Sequence, residues 1–118
     1  SAELIMQRLA SFPIRPATLL AGDYNASPKA PCRKVFIRQA TDEESDDTAR
    51  TPFQDAFASN PSVTHHGFSG KNEGEPIDWI LFTRPLEITR SLIIEETFNG
   101  SYPSDHFPLW AVFKWEEN

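Results

Sequence analysis

The chain has 118 residues, enough for one small domain with its own core, and 39% of them are apolar. No stretch approaches the roughly 20 apolar residues that a membrane-spanning helix needs, and a single cysteine, Cys32, excludes an intrachain disulfide. The net charge of −6 disfavours duplex DNA as a partner, because tight binding to it depends on neutralising phosphates. The lone cysteine and the lack of a signal-peptide pattern in residues 1–10 favour the cytoplasm but leave the compartment open.

The first half of the chain predicts two helices that flank a short strand. Residues 2–11 place four apolar side chains on one helical face, and two prolines end that helix. Residues 17–22 form an apolar run of strand length, followed by the turn residues of the sequence DYNASP. Residues 31–40 indicate a short helix that a proline opens. The acidic run TDEESDD at 41–47 is expected to be a solvated loop.

The second half of the chain predicts mostly strands. The sequence TPFQDAFA at 51–58 has a threonine cap and a proline in its first turn, so it predicts one more short helix. The other elements are expected to be extended: a short strand near 63–68, a strand over 77–83, an interrupted segment over 87–98 and a last strand over 108–115. Neither a repeat nor a linker divides the sequence, so we expect one domain over residues 1–118.

Polar side chains stand at the ends of three of the predicted strands. Asp23 and Asn25 follow the first strand, Asp78 is the second residue of the strand at 77–83, and Asp105 and His106 precede the last strand. If these ends meet at one edge of a sheet, several carboxylates and an imidazole converge, which is costly unless a cation or hydrogen bonds compensate. Mg²⁺ prefers carboxylate and water oxygens and often bridges to a substrate phosphate. The pattern therefore indicates a phosphoryl or phosphodiester site.

Taken singly, each of these groups also has an ordinary structural explanation. The sequence DYN is common in turns, Asp78 can begin a strand, and the Ser–Asp–His sequence at 104–106 is also typical of a turn. The neighbouring His65 and His66 suggest a zinc pair, but neither a cysteine nor a second spaced cluster accompanies them. What favours a shared site is that the three groups occur together, in this order and at this spacing.

The joint pattern resembles the endonuclease/exonuclease/phosphatase superfamily. The sequences LLAGDYN at 19–25, PIDWILF at 76–82 and YPSDHFPLWA at 102–111 are similar to the last three signatures of that superfamily. VTHHGFSG at 63–70 resembles the loop that precedes the second of these signatures in bacterial members. Tyr24 stands where members commonly have Phe or Leu, at a non-catalytic position. The resemblance covers nearly the whole chain.

The resemblance implies a role for each of five residues. Asp23 would orient and deprotonate the attacking water, and Asn25 would hydrogen-bond the phosphate and that water. Asp105 would be a ligand of Mg²⁺ or Mn²⁺, directly or through water. His106 would contact a phosphate oxygen and stabilise the charge of the transition state, while Asp78 would bond the other ring nitrogen of His106. These roles suit phosphoryl chemistry, which needs a positioned nucleophile and compensating positive charge.

The resemblance also implies that only half of the domain is present. Family domains are four-layered α/β sandwiches of roughly twice this length, and their first half supplies an Asn and a Glu that this chain does not match. We therefore expect an α+β fold: the C-terminal half of such a sandwich, with a mainly antiparallel sheet, flanking helices and the first half absent. An uncovered sheet would expose tryptophans and phenylalanines. The expected partner is thus a missing N-terminal half or, failing that, a second copy bound through the exposed sheet.

Three functional interpretations remain, in this order. The first is metal-dependent hydrolysis of a phosphodiester or phosphomonoester, incomplete without the first half. The second is a non-catalytic binding or assembly module that retains the family sheet. The third is a zinc-dependent hydrolase built on His65, His66 and His106. The sequence does not choose among nucleic acid, nucleotide, lipid and sugar-phosphate substrates, since the loops that would select them lie partly in the other half.

Overall fold

The structure, a computed structural model, describes residues 1–12, 17–37 and 53–117. These residues form an α+β fold, as the sequence predicted. The two helices are α1 (Ala2–Ala10) and α2 (Pro31–Phe36), and the five strands are β1 (Leu19–Asp23), β2 (Gln54–Asp55), β3 (Asp78–Phe82), β4 (Leu86–Ile93) and β5 (Leu109–Trp115). Within the described ranges, neither helix has the length and apolar character needed to cross a bilayer.

The strands pair antiparallel throughout but are divided between two small sheets. The first sheet has the order β1-β3-β2, and the second is the β4-β5 pair. In the first sheet Leu19 lies opposite Phe82, and Asp23 lies opposite Asp78. The predicted strands at 17–22 and 77–83 therefore pair side by side, and their polar ends lie at the same edge of the sheet.

Strand β3 is covered on both faces, which explains why it is the most apolar strand. Trp79 and Leu81 belong to one buried cluster with Met6 of α1 and Phe36 of α2. Phe82 points to the opposite face, as the two-residue period of a strand requires, and belongs to a second cluster under β4 and β5. The two layers of the fold thus meet at this one strand.

The predicted helices differ from the observed ones mainly at their ends. The Ser1 side chain caps α1 by accepting a hydrogen bond from the Leu4 N–H at 3.4 Å, and the helix buries Met6. Helix α2 begins at Pro31 as expected but ends at Phe36, because Ile37 already has extended backbone angles. Residues 38–40 and the acidic run 41–47 lie outside the described residues.

The helix predicted over 51–58 is wrong for residues 53–58, the part that the structure describes. The Phe53 N–H donates to the carbonyl of Phe36 at 3.1 Å, and residues 54–55 form strand β2 on the edge of β3. The Asp55 carboxylate then accepts the N–H of Phe57 at 2.8 Å and starts a turn. Burial of Phe53 in the core and pairing with β3 outweigh the weak helical preference of this segment.

The extended segments of the second half are largely as predicted. The interrupted segment over 87–98 forms β4 up to Ile93, followed by a bridge between Phe98 and Ser101. The short strand expected near 63–68 is reduced to a single bridge, because Gly67 and Phe68 have positive φ angles of 58° and 63° and turn the chain. In β5, alternate residues are half-buried and exposed, in agreement with the predicted alternation.

The outer face of the β4-β5 pair carries exposed apolar side chains. This agrees in part with the expectation that an uncovered sheet exposes tryptophans and phenylalanines. Leu92, Trp110 and Val112 are each at least 40% exposed on this face, and Trp115, at the end of β5 on the opposite face, is 64% exposed. The Arg90 guanidinium lies 5.6 Å from the centre of the Trp110 ring and covers it in part. Trp79, by contrast, is buried in the core, so the expectation of uncovered tryptophans holds for Trp110 and Trp115 only.

The shared strand β3 makes a testable contribution to stability. Leu81 is fully buried, and the Leu81→Ala substitution is expected to lower the free energy of unfolding by about 2–5 kcal/mol, because it removes buried methyl groups and leaves a cavity. Leu92→Ala is the matched control: it makes the same chemical change at a side chain that is 44% exposed, and should cost about 1 kcal/mol or less. Urea unfolding followed by tryptophan fluorescence measures both. Equal losses would contradict the central place of β3.

Candidate functional site

The first two acidic residues of the site are placed by the register of β1 and β3. Asp23 ends β1, Asp78 begins β3, and the two are direct cross-strand partners. Like charges at directly opposite positions destabilise a sheet. The sheet therefore holds two facing carboxylates that need a positive or hydrogen-bonding neighbour.

That neighbour is His106, which a short pairing of two loops brings to the same edge. His65 and His106 form an isolated antiparallel bridge. Beside it, the Phe107 N–H donates to the Thr64 carbonyl at 2.6 Å, and the His66 N–H donates to the Asp105 carbonyl at 2.9 Å. The loop at 64–66 thus holds residues 105–107 in place.

Thr64 connects this loop pairing to the sheet. Its side chain is fully buried, and its hydroxyl Oγ1 accepts the backbone N–H groups of Ile77 and Asp78 at 3.0 and 3.1 Å. Through its carbonyl, the same residue holds Phe107. Thr64 therefore fixes Asp78 relative to His106. Sequence reasoning gave it no role, and the only sequence signal for it is its place in the VTHHGFSG loop.

Asp78 and His106 form the hydrogen bond that their proposed roles require. The Nδ1 atom of His106 lies 2.8 Å from Oδ2 of Asp78, and both side chains are largely buried. Since the carboxylate accepts at Nδ1, the proton of the ring is held there, and Nε2 is the nitrogen left for another partner. The pairing expected from the sequence is thus confirmed.

The carboxylates around His106 favour its charged form. The pKa of His106 is raised above the ordinary histidine value of 6.5, first by the hydrogen bond from its ring to Asp78 and then by the negative charges of Asp78, Asp105 and Asp23, while partial burial opposes the increase. The folded chain therefore binds a proton on His106 more tightly than the unfolded chain does. The contribution of the Asp78–His106 pair to the free energy of unfolding is fully present below pH 6.5. It is lost as the pH rises through the raised pKa of His106.

Asn25 lies in a tight turn immediately after Asp23. Its φ angle is 48°, in the left-handed region, and its backbone N–H donates to Oδ1 of Asp23 at 2.8 Å. Both side chains are exposed. Behind them Tyr24 stacks on Trp79 with ring centres 4.3 Å apart, so the turn is anchored to the core and its polar residues face outwards.

The polar groups form two sets that share His106. In the first, ligand atoms of Asp23, Asp78 and His106 lie within 4.8 Å of one another; in the second, those of His65, Asp105 and His106 do. Asp78 and His106 also line an open hollow together with Ser104 and Gly22. Of the five residues expected to converge, Asp78 and His106 are the two that line this hollow. Asp23 and Asp105 flank His106 on either side, and Asn25 follows in the turn.

His66 does not take part in either set. Its ring is buried and stacks on Phe107 with centres 4.1 Å apart, and Nδ1 accepts the backbone N–H of Gly70 at 3.3 Å. Its Nε2 is buried and has no hydrogen-bond partner among the described residues. A three-histidine zinc site of His65, His66 and His106 is accordingly not what the fold assembles.

Comparisons with known proteins identify the fold. No protein-family model matches the chain, and neither does any curated protein sequence. Among solved structures, an endonuclease/exonuclease/phosphatase family protein from Bacteroides thetaiotaomicron matches with a TM-score of 0.77 at 17% identity, over 98% of this chain and 44% of that one. An endonuclease/exonuclease/phosphatase from Bacteroides vulgatus matches with a TM-score of 0.74 at 20% identity, over 98% and 42%.

A third match is a mannosyl-6-phosphatase from Bacteroides thetaiotaomicron, with a TM-score of 0.74 at 17% identity, over 97% of this chain and 44% of that one. The chain therefore spans less than half the length of each of these structures. The fold inferred from the sequence is confirmed: it is that of endonuclease/exonuclease/phosphatase proteins, over a part consistent with their C-terminal half.

The electrostatics of His106 can be tested by NMR titration. We expect a pKa above 6.5 in the native chain, and a marked decrease in the Asp78→Asn variant, because both the hydrogen bond to a carboxylate and its charge are lost. Asp23→Asn is the matched control, since it removes one charge and leaves that hydrogen bond intact; its decrease should be smaller. If the two variants lower the pKa equally, the hydrogen bond is not the main cause of the shift.

The role of Thr64 can be tested with two substitutions of similar size. Thr64→Val keeps the shape but leaves the Ile77 and Asp78 N–H groups without their acceptor, so it should lower the free energy of unfolding by about 1–3 kcal/mol. Thr64→Ser keeps the hydroxyl and should cost less. Urea unfolding measures both. A larger loss for Ser than for Val would show that the methyl group, rather than the hydroxyl, holds the site together.

Proposed function

We propose that this chain is the catalytic half of a metal-dependent phosphate-ester hydrolase. The observation that carries the proposal is the hydrogen-bonded Asp78–His106 pair, flanked by Asp23 and Asp105. A histidine held by a carboxylate and lining an open hollow suits the binding of an anionic group. The fold shared with phosphatase structures supports the same conclusion.

His106 provides the positive charge in this mechanism. Its raised pKa favours an imidazolium, whose Nδ1–H is bound to Asp78 and whose Nε2–H is free to donate to a phosphate oxygen. Because Asp78 fixes the ring, the donor is already oriented when negative charge develops on that oxygen. Preorganised donors of this kind contribute a large part of transition-state stabilisation.

Asp23 and Asn25 would prepare the attacking water. Oδ1 of Asp23 is bound by the Asn25 N–H, which fixes the carboxylate. Since Asp23 is exposed, water can reach its other oxygen, which would accept the proton. The Asn25 side chain is exposed beside it and can donate to the phosphate or to that water. A positioned base and an amide donor are what an in-line displacement at phosphorus needs.

The donor atoms near His106 fit Mg²⁺ or Mn²⁺ only in part. Asp105 and Asp23 offer hard carboxylate oxygens, which these ions prefer, and Mg²⁺ is usually held by one or two carboxylates plus substrate phosphate. The resemblance assigns a further ligand, a Glu, to the first half of the domain. When bound, such an ion supplies a Lewis acid that neutralises charge on the phosphoryl oxygens. Asp105 is the residue proposed to hold it.

Full activity is proposed to require a first half, in the same protein or as a separate chain. The chain spans less than half of the similar structures, and the resemblance assigns one metal ligand to the other half. The exposed face of Leu92, Trp110 and Val112 provides apolar surface for a covering partner, with self-association as the alternative.

A phosphomonoester of a sugar is the first substrate class to test. One similar structure is a mannosyl-6-phosphatase, and the net charge of −6 disfavours long polyanions such as duplex DNA. Phosphodiesters form the second class, because they also offer a phosphate oxygen to which His106 would donate a hydrogen bond.

The hydrolytic proposal predicts a dependence on the first half. Residues 1–118 alone should hydrolyse mannose 6-phosphate and bis-p-nitrophenyl phosphate near the background rate in Mn²⁺, and the protein that includes the residues encoded before Ser1 should be active on one of them. In that active protein, His106→Gln or Asp23→Asn should lower kcat by a factor of roughly 10²–10³, because each removes a preorganised contribution. Glu73→Gln, an exposed change outside the site, is the control.

Each alternative has its own outcome in this experiment. Strong metal-dependent turnover by residues 1–118 alone would contradict the half-domain part of the proposal. An extended protein that hydrolyses neither ester, with or without metal, would favour a non-catalytic binding or assembly module. Activity that His106→Gln leaves unchanged would exclude the Asp78–His106 pair from the mechanism.

A further inference from the structure

Two histidines stand side by side at the edge of the site because the backbone pairs them. The bridge between His65 and His106 places their side chains on the same side of the paired loops. Their ring centres lie 4.9 Å apart, with an angle of 61° between the ring planes. His65 has no role in the hydrolytic mechanism proposed above, and its side chain is half exposed.

Asp105 adds a carboxylate to this pair. Its Oδ2 lies 3.6 Å from Nε2 of His65, and the ligand atoms of His65, Asp105 and His106 all lie within 4.8 Å of one another. The main chain of Asp105 is fixed as well, because its carbonyl accepts the N–H groups of His66 and Gly67 at 2.9 and 3.2 Å. Two imidazoles and one carboxylate thus lie close together.

The spacing of these groups suits a single tetrahedral ion. At zinc–ligand distances of about 2.0–2.1 Å, two ligand atoms on one tetrahedral ion are about 3.3 Å apart and two imidazole centres are about 5 Å apart. The observed 3.6 Å between His65 and Asp105 and 4.9 Å between the two rings are close to these values. His65, whose side chain is 50% exposed, has room to rotate toward an ion.

Asp78 provides the outer support that metal-binding histidines usually have. A histidine ligand normally donates its second N–H to a carboxylate, which fixes the tautomer and strengthens the ligand. Asp78 occupies this position, since its Oδ2 lies 2.8 Å from Nδ1 of His106. In the neutral ring this arrangement leaves the lone pair on Nε2, the nitrogen that would bind the ion.

We propose that His65, Asp105 and His106 form a binding site for a transition-metal ion of the Zn²⁺ class, with Asp78 as its outer support. Two imidazole ligands favour Zn²⁺, Co²⁺ or Ni²⁺ over Mg²⁺, which prefers an all-oxygen shell. Three protein ligands leave a fourth position open. The site lies entirely within this chain, so it does not rest on the hydrolytic proposal or on a first half.

The two uses of His106 exclude each other. A nitrogen that binds a metal ion through its lone pair cannot also donate a proton to a phosphate oxygen. Occupancy of the transition-metal site therefore competes with phosphate binding at the same ring. Mg²⁺, held by carboxylates alone, leaves the ring free to donate.

Equilibrium metal binding tests the site without any measurement of activity. Co²⁺ is titrated into the chain while its visible absorption is recorded, and Zn²⁺ is then used to displace it. We expect one ion per chain, bound far more tightly than Mg²⁺. His65→Gln should weaken binding by at least about 10-fold and Asp78→Asn by about 10–100-fold, while Glu73→Gln, an exposed change outside the site, should leave it unchanged. Circular dichroism verifies that each variant is folded.

The nitrogen atoms of the rings identify the ligands directly. Histidine ¹⁵N NMR spectra should report metal binding at Nε2 of His106 and at a ring nitrogen of His65, with the buried His66 unaffected. The proposal is overturned if Zn²⁺ binds no more tightly than Mg²⁺, if His65→Gln binds as tightly as the native chain, or if the affected groups are His66 or the Cys32 thiol. None of these readouts involves hydrolysis, so their outcome leaves the hydrolytic proposal to its own test.

Discussion

The buried hydroxyl of Thr64 is the contact on which the site depends. It accepts two backbone N–H groups at the start of β3, and the carbonyl of the same residue accepts the N–H of Phe107. The hydroxyl thus ties the start of β3, which carries Asp78, to the loop that holds His106. One fully buried side chain thus converts three neighbouring loops into a rigid edge. Polar groups buried in this way are costly when unpaired, and here the hydroxyl is used twice.

The arrangement around His106 follows from that edge. Strand register sets Asp23 against Asp78, the loop bridge sets His65 against His106, and the turn before β5 brings Asp105 alongside. Each of these placements is made by backbone pairing rather than by flexible side chains. The result is one imidazole with carboxylates around it. The two proposals give its Nε2 atom different partners: a phosphate oxygen when the ring is charged, and a transition-metal ion when the ring is neutral.

The sequence predicted which polar residues lie close together better than it predicted the local structure around them. The proximity of Asp23, Asp78 and His106 was expected because acidic and imidazole groups at strand ends are unusual, and because their order resembles a family pattern. Thr64 was missed because a single buried hydroxyl has no periodic signature. The segment at 51–58 was misread because its threonine and proline are local helix signals, whereas its structure is decided by Phe53 in a distant core and by pairing with β3. The sequence did not favour the proximity of His65 to His106, because it results from the backbone bridge between the two residues.

The facing carboxylates of Asp23 and Asp78 have a consequence for engineering this chain. A cross-strand pair of like charges lowers the stability of the sheet. Substitutions that remove an unfavourable interaction of this kind commonly stabilise a protein. A directed-evolution experiment that selects only for thermal resistance would therefore replace Asp23 early, with Asn, Ser or Thr, and would report an improved protein. The same substitution would remove the carboxylate that lies close to Asp78 and His106. Thermostable variants of this chain should be screened for ligand binding from the first round, because a substitution of Asp23 that raises stability would also remove a carboxylate from the proposed site.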